Sequence, residues 1–269
     1  MTDHSARASQ PNLVAAAPRR GSRLPRPDRR WALFLDVDGT LLDIAARPEL
    51  AVSPTGLREA LAGAMAALDG ALALNSGRLI ADIDRIFSPF APPAAGLHGL
   101  ERRNDSTVIR AMNSVPALDA VRTAFAAFAA RHPGVMVEDK ELTLALHYRG
   151  APQAEPEARA LVEGLCAADA RRLDLIEGKM MVEVKPPGSD KGTAIEAFLA
   201  EAPFRGRRPV FAGDDVTDEA GFATVNRLGG LSIRVGPLPP GLTATAARWQ
   251  CGGVGELVEW LAELPRRLG

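Results

Sequence analysis

Between Trp31 and Asp36 the chain reads WALFLD, five apolar residues closed by a carboxylate. An apolar run this short and unbroken fits a strand buried on both faces, which implies a parallel sheet covered by helices. Apolar residues at helical spacing then predict a helix over 57–68, followed by a strand over 71–74 and a helix over about 79–87. The same alternation returns after Pro186-Pro187. A helix is expected over 190–199, a strand over 209–212, a helix near 218–225, a strand over 231–235 and a closing helix over 256–264. Strand alternating with helix predicts an α/β fold with a Rossmann-like parallel core.

Between 112 and 186 the pattern changes. A helix is expected over 117–131, strands over 135–138 and 142–147, a helix over 155–168, and strands over 172–176 and 180–184. Paired strands with helices between them predict an α+β module inserted as a cap into the larger fold. The expected organisation is a core made from 31–111 and 187–269, a cap over 112–186, and a tail over 1–30. The tail carries seven arginines against two aspartates, with prolines at 11, 18, 25 and 27. Such a segment buries too little surface to offset its ordering entropy and is expected to be disordered.

Bulk properties narrow the function. A formal net charge of -1 gives no global field for nucleic acid or anionic membrane. No stretch approaches the roughly 18 apolar residues of a membrane span. Cys166 and Cys251, alone and far apart, suggest no disulfide framework or zinc cluster, in keeping with a cytoplasmic protein.

Ligands of open α/β sheets gather beyond the carboxyl ends of the strands. Three expected strands end there in polar residues: Asp36-Val37-Asp38-Gly39-Thr40, Asn75-Ser76-Gly77-Arg78 and Gly213-Asp214-Asp215. Four carboxylates in one crevice repel one another unless a cation joins them. An oxygen-only set suits a hard ion that keeps waters and binds beside substrate phosphate, so Mg²⁺ is the expected cofactor.

In order and placement these segments resemble the haloacid-dehalogenase-like superfamily of phosphohydrolases. LFLDVDGTLLDI resembles its first motif, NSGR its second, Lys191 in SDKGTAI its third and FAGDDVTDEAGF its fourth. The resemblance implies that Asp36 is a nucleophile forming an aspartyl-phosphate. It implies that Asp38 protonates the leaving oxygen and then activates water. Asp36, the backbone carbonyl of Asp38, and Asp214 would hold Mg²⁺, supported by Asp215 and, in one of two readings, by Asp218. Ser76 and Lys191 would hold the phosphoryl oxygens, with Val37, Gly77 and Arg78 of the same motifs around the substrate. Ser76 equally suits a helix cap, and Asp218 reads as a first-turn acid favouring the helix dipole. Asn75 departs from the family pattern, in which an apolar residue commonly stands.

The cap bears on substrate choice. Alternate strand residues share a face, so Val135 and Val137 oppose Glu138 and Lys140. Leu142, Leu144 and Leu146 likewise oppose Glu141 and His147, and Met180, Val182 and Val184 oppose Glu183 and Lys185. Carboxylates that accept from hydroxyls, beside a lysine that donates, suit a neutral sugar; a solvated charged face has the same composition. The segments GLHGLERR, EDKELTLALHYR, GKMMVEVKPPGSDKGTAI and GDDVTDEAGFATVNRLGG are similar, in order, to the trehalose-6-phosphate phosphatases, from about residue 31 to 264. That resemblance implies sugar contacts from Glu138, Lys140 and Glu183, with His98, Glu101 and Arg102 near the crevice. His147 fits either a sugar contact or a satisfied buried residue. It also implies a small-molecule sugar phosphate as substrate and a functional link to a trehalose-6-phosphate synthase, in a chain expected to be monomeric. The alternatives are a phosphatase of the sucrose-phosphate or mannosyl-phosphoglycerate type, a phosphoglucomutase-like transferase, and a catalytically silent sugar-phosphate sensor.

Overall fold

A computed structural model describes residues 24–45, 47–238 and 242–269. In chain order the elements are β1 (Trp31–Leu35), α1 (Leu57–Ala67), β2 (Leu72–Asn75), α2 (Ile80–Phe87), β3 (Ala94–Gly96), β4 (Glu101–Arg103) and β5 (Val108–Arg110). Then come α3 (Leu118–Arg131), β6 (Met136–Asp139), β7 (Leu144–His147), α4 (Glu155–Ala168), β8 (Asp174–Gly178) and β9 (Met181–Lys185). The chain closes with α5 (Lys191–Leu199), β10 (Arg208–Gly213), α6 (Glu219–Arg227), β11 (Leu231–Val235), β12 (Trp249–Cys251) and α7 (Val254–Leu268).

The larger sheet has the order β12-β11-β10-β1-β2-β3-β4-β5. Its first six strands are parallel, and β4 and β5 add an antiparallel edge. All of β1 is buried because both its faces are covered. Trp31, Leu33 and Leu35 pack against residues of α1, α2 and α7, whereas Ala32 and Phe34 meet Phe198, Phe204, Phe211 and Phe222 on the α5–α6 side. Since β1 lies between β10 and β2, the chain leaves it toward one side and returns on the other. That arrangement opens a crevice at the carboxyl ends of the central strands.

The smaller sheet is antiparallel, in the order β6-β7-β9-β8. Its apolar face packs on α3 and α4 through Leu144, Leu146, Val182, Val184, Phe125, Phe128 and Val162. Its opposite face turns toward the crevice. The strand pairing aligns Met136, His147 and Met181 in one row and Glu138, Ala145 and Glu183 in the next.

Several expectations need correction. Residues 24–30, assigned to a disordered tail, are ordered: Leu24 joins the main core, and Trp260 Nε1 donates to the Pro25 carbonyl at 3.1 Å. The rest of that expected tail, 1–23, lies outside the described residues. Strand β7 starts at Leu144 rather than 142, because Glu141 takes a left-handed backbone (φ 68°). Leu142 therefore packs with Leu97 and Leu100 instead of the smaller sheet. Strands β3, β4, β5 and β12 were not anticipated, since three-residue segments such as Ala94–Gly96 carry no readable periodicity.

Candidate active site

The crevice floor is built from strand ends. Asp36 follows β1 and Asp214 follows β10, so the parallel pairing of these strands brings the two acids together. Lys191 opens α5, whose start is fixed by a capping box between Asp190 and Thr193. Its buried ammonium donates to Asp36 Oδ1 and to Asp218 Oδ1, each at 2.6 Å. Asp218 Oδ2 accepts from the backbone N–H groups of Asp214 and Asp215, both at 2.8 Å. Asp218 is thus more than the helix-dipole acid its position suggested. Its oxygens orient the lysine and the acidic turn. Asn75, the departure from the family pattern, donates from Nδ2 to the Lys191 carbonyl at 2.9 Å and so ties β2 to the same helix start.

Asp36, Asp214 and Asp218 each present an oxygen, all within 4.8 Å of one another, an arrangement that could hold a metal ion. Asp214 Oδ1 accepts from Thr40 Oγ1 at 3.2 Å, and its Oδ2 is paired with the Lys179 ammonium. Burial, reinforced by Asp218 and Asp214, pushes Asp36 well above the usual carboxylate range, while Lys191 pulls the other way. Burial and Asp218 likewise raise Asp214, against Lys179. Burial alone would lower Lys191, yet Asp218 and Asp36 hold it above the ordinary lysine range. Crowded like charges on an oxygen-only donor set are what a hard cation relieves. Gly39 completes the cradle: its φ is 82°, and a Cβ built there would overlap the Asp214 carboxylate.

At the mouth, Arg78 grips Asp38 with two hydrogen bonds, Nε to Oδ2 at 2.6 Å and Nη2 to Oδ1 at 2.7 Å. Ser76 Oγ accepts from the Arg78 N–H at 3.2 Å, holding this turn in shape.

The smaller sheet forms the roof. Glu183 is 1% exposed and accepts from Lys140 Nζ at 3.0 Å and Thr143 Oγ1 at 2.5 Å, while His98 Nε2 of the core stands 3.5 Å away. Lys140 Nζ also donates to the Gly77 carbonyl at 3.1 Å. Glu138 and His147 pair at 2.7 Å. Burial would raise Glu183, but Lys140, His98 and Thr143 hold it well below the ordinary range. Burial lowers His98 despite the opposing pull of Glu183. Floor and roof enclose one cavity of about 520 Å³ that reaches Asp36, Asp38, Lys191 and Asp214 below and Glu138, Lys140, His147 and Glu183 above.

Residues 34–253 match the profile of the trehalose-phosphatase family. The chain belongs to the trehalose-phosphatase family. It is 42% identical over 239 residues to the trehalose-6-phosphate phosphatase of Escherichia coli, covering 88% of this chain and 87% of that protein. It is 44% identical over 210 residues to a probable trehalose-phosphate phosphatase of Sinorhizobium fredii, covering 78% and 79%. The structure of the C-terminal domain of the C. albicans trehalose-6-phosphate phosphatase superposes with a TM-score of 0.80 at 21% identity, over 94% of this chain and 99% of that one. That likeness establishes the fold, an α/β core with a mostly parallel sheet and a separate antiparallel sheet.

Within this family fold, Asp36, Asp38, Ser76, Gly77, Arg78, His98, Glu138, Lys140, His147, Glu183, Lys191, Asp214 and Asp215 all line the cavity. Three expected residues do not. The Val37 side chain lies in the main core. Glu101 accepts from the Ile80 N–H at 3.0 Å and pairs with Arg110, so it ties the start of α2 to the sheet edge. Arg102 points away, gripping Glu201 at 2.7 and 2.9 Å over the Phe198 ring. Asp215 lines the cavity but is not one of the three clustered carboxylates, whose third member is Asp218. Sequence reasoning missed Arg149 and Lys179, and gave Thr40 no role beyond its place in the first strand-end segment. A signal for Lys179 was available: only four of the 32 basic residues are lysine, namely Lys140, Lys179, Lys185 and Lys191. Among the described residues no helix is long and apolar enough to cross a membrane.

Proposed function

We propose that this chain hydrolyses trehalose 6-phosphate to trehalose and phosphate, with Asp36 as nucleophile and 112–186 acting as a cap that selects the sugar. The observation carrying this reading is the single cavity with a lysine-held aspartate at its floor and sugar-compatible acids at its roof. The relatives' names supply the identity of the sugar.

In the first step an Asp36 oxygen attacks phosphorus, the bond to the sugar oxygen breaks, and Asp38 gives that oxygen a proton. In the second, Asp38 takes a proton from water, the water oxygen attacks phosphorus, and the Asp36–phosphorus bond breaks to free phosphate. Lys191 and Ser76 supply charge and hydrogen bonds to the phosphoryl oxygens. Asp36 and Asp214 are the residues that would hold Mg²⁺, with Asp218 orienting them through Lys191 and the backbone amides of Asp214 and Asp215. Bound there, the ion would supply charge neutralisation for the phosphoryl oxygens. On the roof, Glu138, Lys140, Glu183 and His147 offer acceptors and a donor to sugar hydroxyls.

The test is phosphate release from trehalose 6-phosphate, sucrose 6-phosphate, glucose 6-phosphate and p-nitrophenyl phosphate, with Mg²⁺ or with EDTA. Trehalose 6-phosphate should lead and EDTA should abolish turnover. Asp36→Asn should lose turnover while remaining folded. Equal rates on all three sugar phosphates would remove the assigned specificity.

A further inference from the structure

The chain spends arginine almost everywhere a cation is needed and keeps lysine at four positions, all between 140 and 191. Three of those ammonium groups are buried on fixed acceptors: Lys140 on Glu183, Lys191 on Asp36 and Asp218, and Lys185 on the Ser189 carbonyl at 2.6 Å. The fourth, Lys179, belongs to the tight turn between β8 and β9, closed by the Gly178–Met181 pair.

That turn is anchored on both sides of the lysine. Met180 takes a left-handed backbone (φ 60°), packs its side chain against the smaller sheet's core, and accepts at its carbonyl from the Tyr148 N–H at 3.1 Å. Arg149 donates to the Lys179 carbonyl at 3.4 Å. With its neighbours fixed, Lys179 extends across the crevice to Asp214 Oδ2, and its side chain remains 35% exposed. Lys191 already supplies the counter-charge of Asp36 and Asp218, so Lys179 is the ammonium that answers Asp214.

We propose that Lys179 is a positioning residue that competes with a divalent cation for the Asp214 carboxylate, coupling cation binding to release of the β8–β9 turn. This rests on the reading above that the acidic cluster takes the cation. An ammonium and a divalent ion on the same oxygen repel strongly, so one must withdraw for the other to bind. The coupling is reciprocal: removing the ammonium tightens the ion, and the ion loosens the turn. Lysine suits such a role because its charge is compact and its stem flexible, whereas a forked guanidinium would hold both carboxylate oxygens.

The experiment titrates Mn²⁺ into the full chain without sugar phosphate and reads bound ion by electron paramagnetic resonance. Lys179→Met should bind Mn²⁺ more tightly by roughly 5- to 150-fold. Arg172→Met, an exposed charge removal before the far end of β8, should match wild type. In wild-type protein, Mg²⁺ should speed hydrogen exchange at the amides of 178–181. Unchanged or weaker Mn²⁺ affinity in Lys179→Met, with Asp214→Asn losing the ion, overturns the competition and leaves the cation site intact. If Asp214→Asn binds Mn²⁺ as well as wild type, the cation site itself is wrong and both readings fall. Exchange at 178–181 that ignores Mg²⁺ overturns the coupling to the turn.

Discussion

Lys191 Nζ stands 2.6 Å from Asp36 Oδ1, joining residues 155 positions apart in sequence. The same ammonium holds Asp218, and Asp218 holds the backbone of Asp214 and Asp215. One lysine therefore fixes Asp36 relative to the acidic turn, and Asn75 fixes the helix start that carries the lysine. Charge and architecture are not separable here. The group that would steady a phosphoryl oxygen also keeps two buried acids from facing each other unpaired.

Replacing Lys191 by methionine should consequently damage both activity and stability. Loss of a preorganised charge costs about 10²–10³ in kcat. Leaving Asp36 and Asp218 buried without their cation costs about 3–5 kcal/mol. Phosphate release and the urea unfolding midpoint read the two effects. A variant that loses turnover but unfolds at the wild-type midpoint would show that the ion pair does no structural work.

Gly39 and Gly56 form a matched pair for separating strain from obstruction. Both have left-handed backbones, φ 82° and 85°, but a Cβ at Gly39 overlaps Asp214 whereas one at Gly56 meets nothing within 4 Å. Gly56→Ala should cost about 1–2 kcal/mol in stability and leave kcat unchanged. Gly39→Ala carries the same strain and also displaces Asp214, so kcat should fall about 10²-fold. Equal kcat in the two variants would mean that the Asp214 position is not critical.

The parallel core was legible because β1 and β10 are buried on both faces and end in acids, a pattern that survives without neighbours in view. The acids Asp36, Asp38 and Asp214 could be picked out for the same reason. Asp218 stays open in the sequence between a support for the cation and a first-turn acid, because its bonds to Lys191 and to two backbone amides depend on tertiary placement. The resemblance carried by GLHGLERR puts Glu101 and Arg102 near the crevice together with His98. The chain turns at Leu97 and His98, with φ 50° and 55°, and β4 then carries them out along the sheet edge. Strand alternation separated the roof's apolar and charged faces within the strands, but not at Glu141 and Leu142, where the chain turns before β7 begins. It could not tell a solvated charged face from one pressed against the core, since that depends on how two sheets meet.

Asp38, held by Arg78, is the group assigned to proton transfer at the mouth. Its loss should be felt unequally by different leaving groups. Asp38→Asn should lower kcat on the sugar phosphate by about 10²–10⁴, because a sugar alkoxide needs a proton to depart. p-Nitrophenolate leaves without one, so the first step on p-nitrophenyl phosphate should survive while water activation in the second does not. Rapid mixing should then show a burst of one nitrophenolate per enzyme followed by slow turnover. Steady turnover of p-nitrophenyl phosphate at the wild-type rate would place Asp38 outside the second step.

Glu183 offers the sharpest division between sugar recognition and chemistry, because it lies on the roof and touches none of the reacting groups. Glu183→Gln should raise KM for trehalose 6-phosphate and leave p-nitrophenyl phosphate nearly unaffected; equal losses on both would remove its recognition role. Its titration gives an independent signature. Burial would raise this carboxyl, but Lys140, His98 and Thr143 hold it well below the ordinary range in the folded chain. The unfolded chain therefore takes up the proton first, at a pKa of about 4.3. The stabilisation is fully present above that pH and declines as pH falls toward the folded value, by up to about 1.4 kcal/mol per pH unit. The stability gap between wild type and Glu183→Gln should be flat above about pH 5 and should shrink on further acidification. A gap that stays constant or widens below pH 4 would mean that Lys140 and His98 do not hold Glu183 ionised.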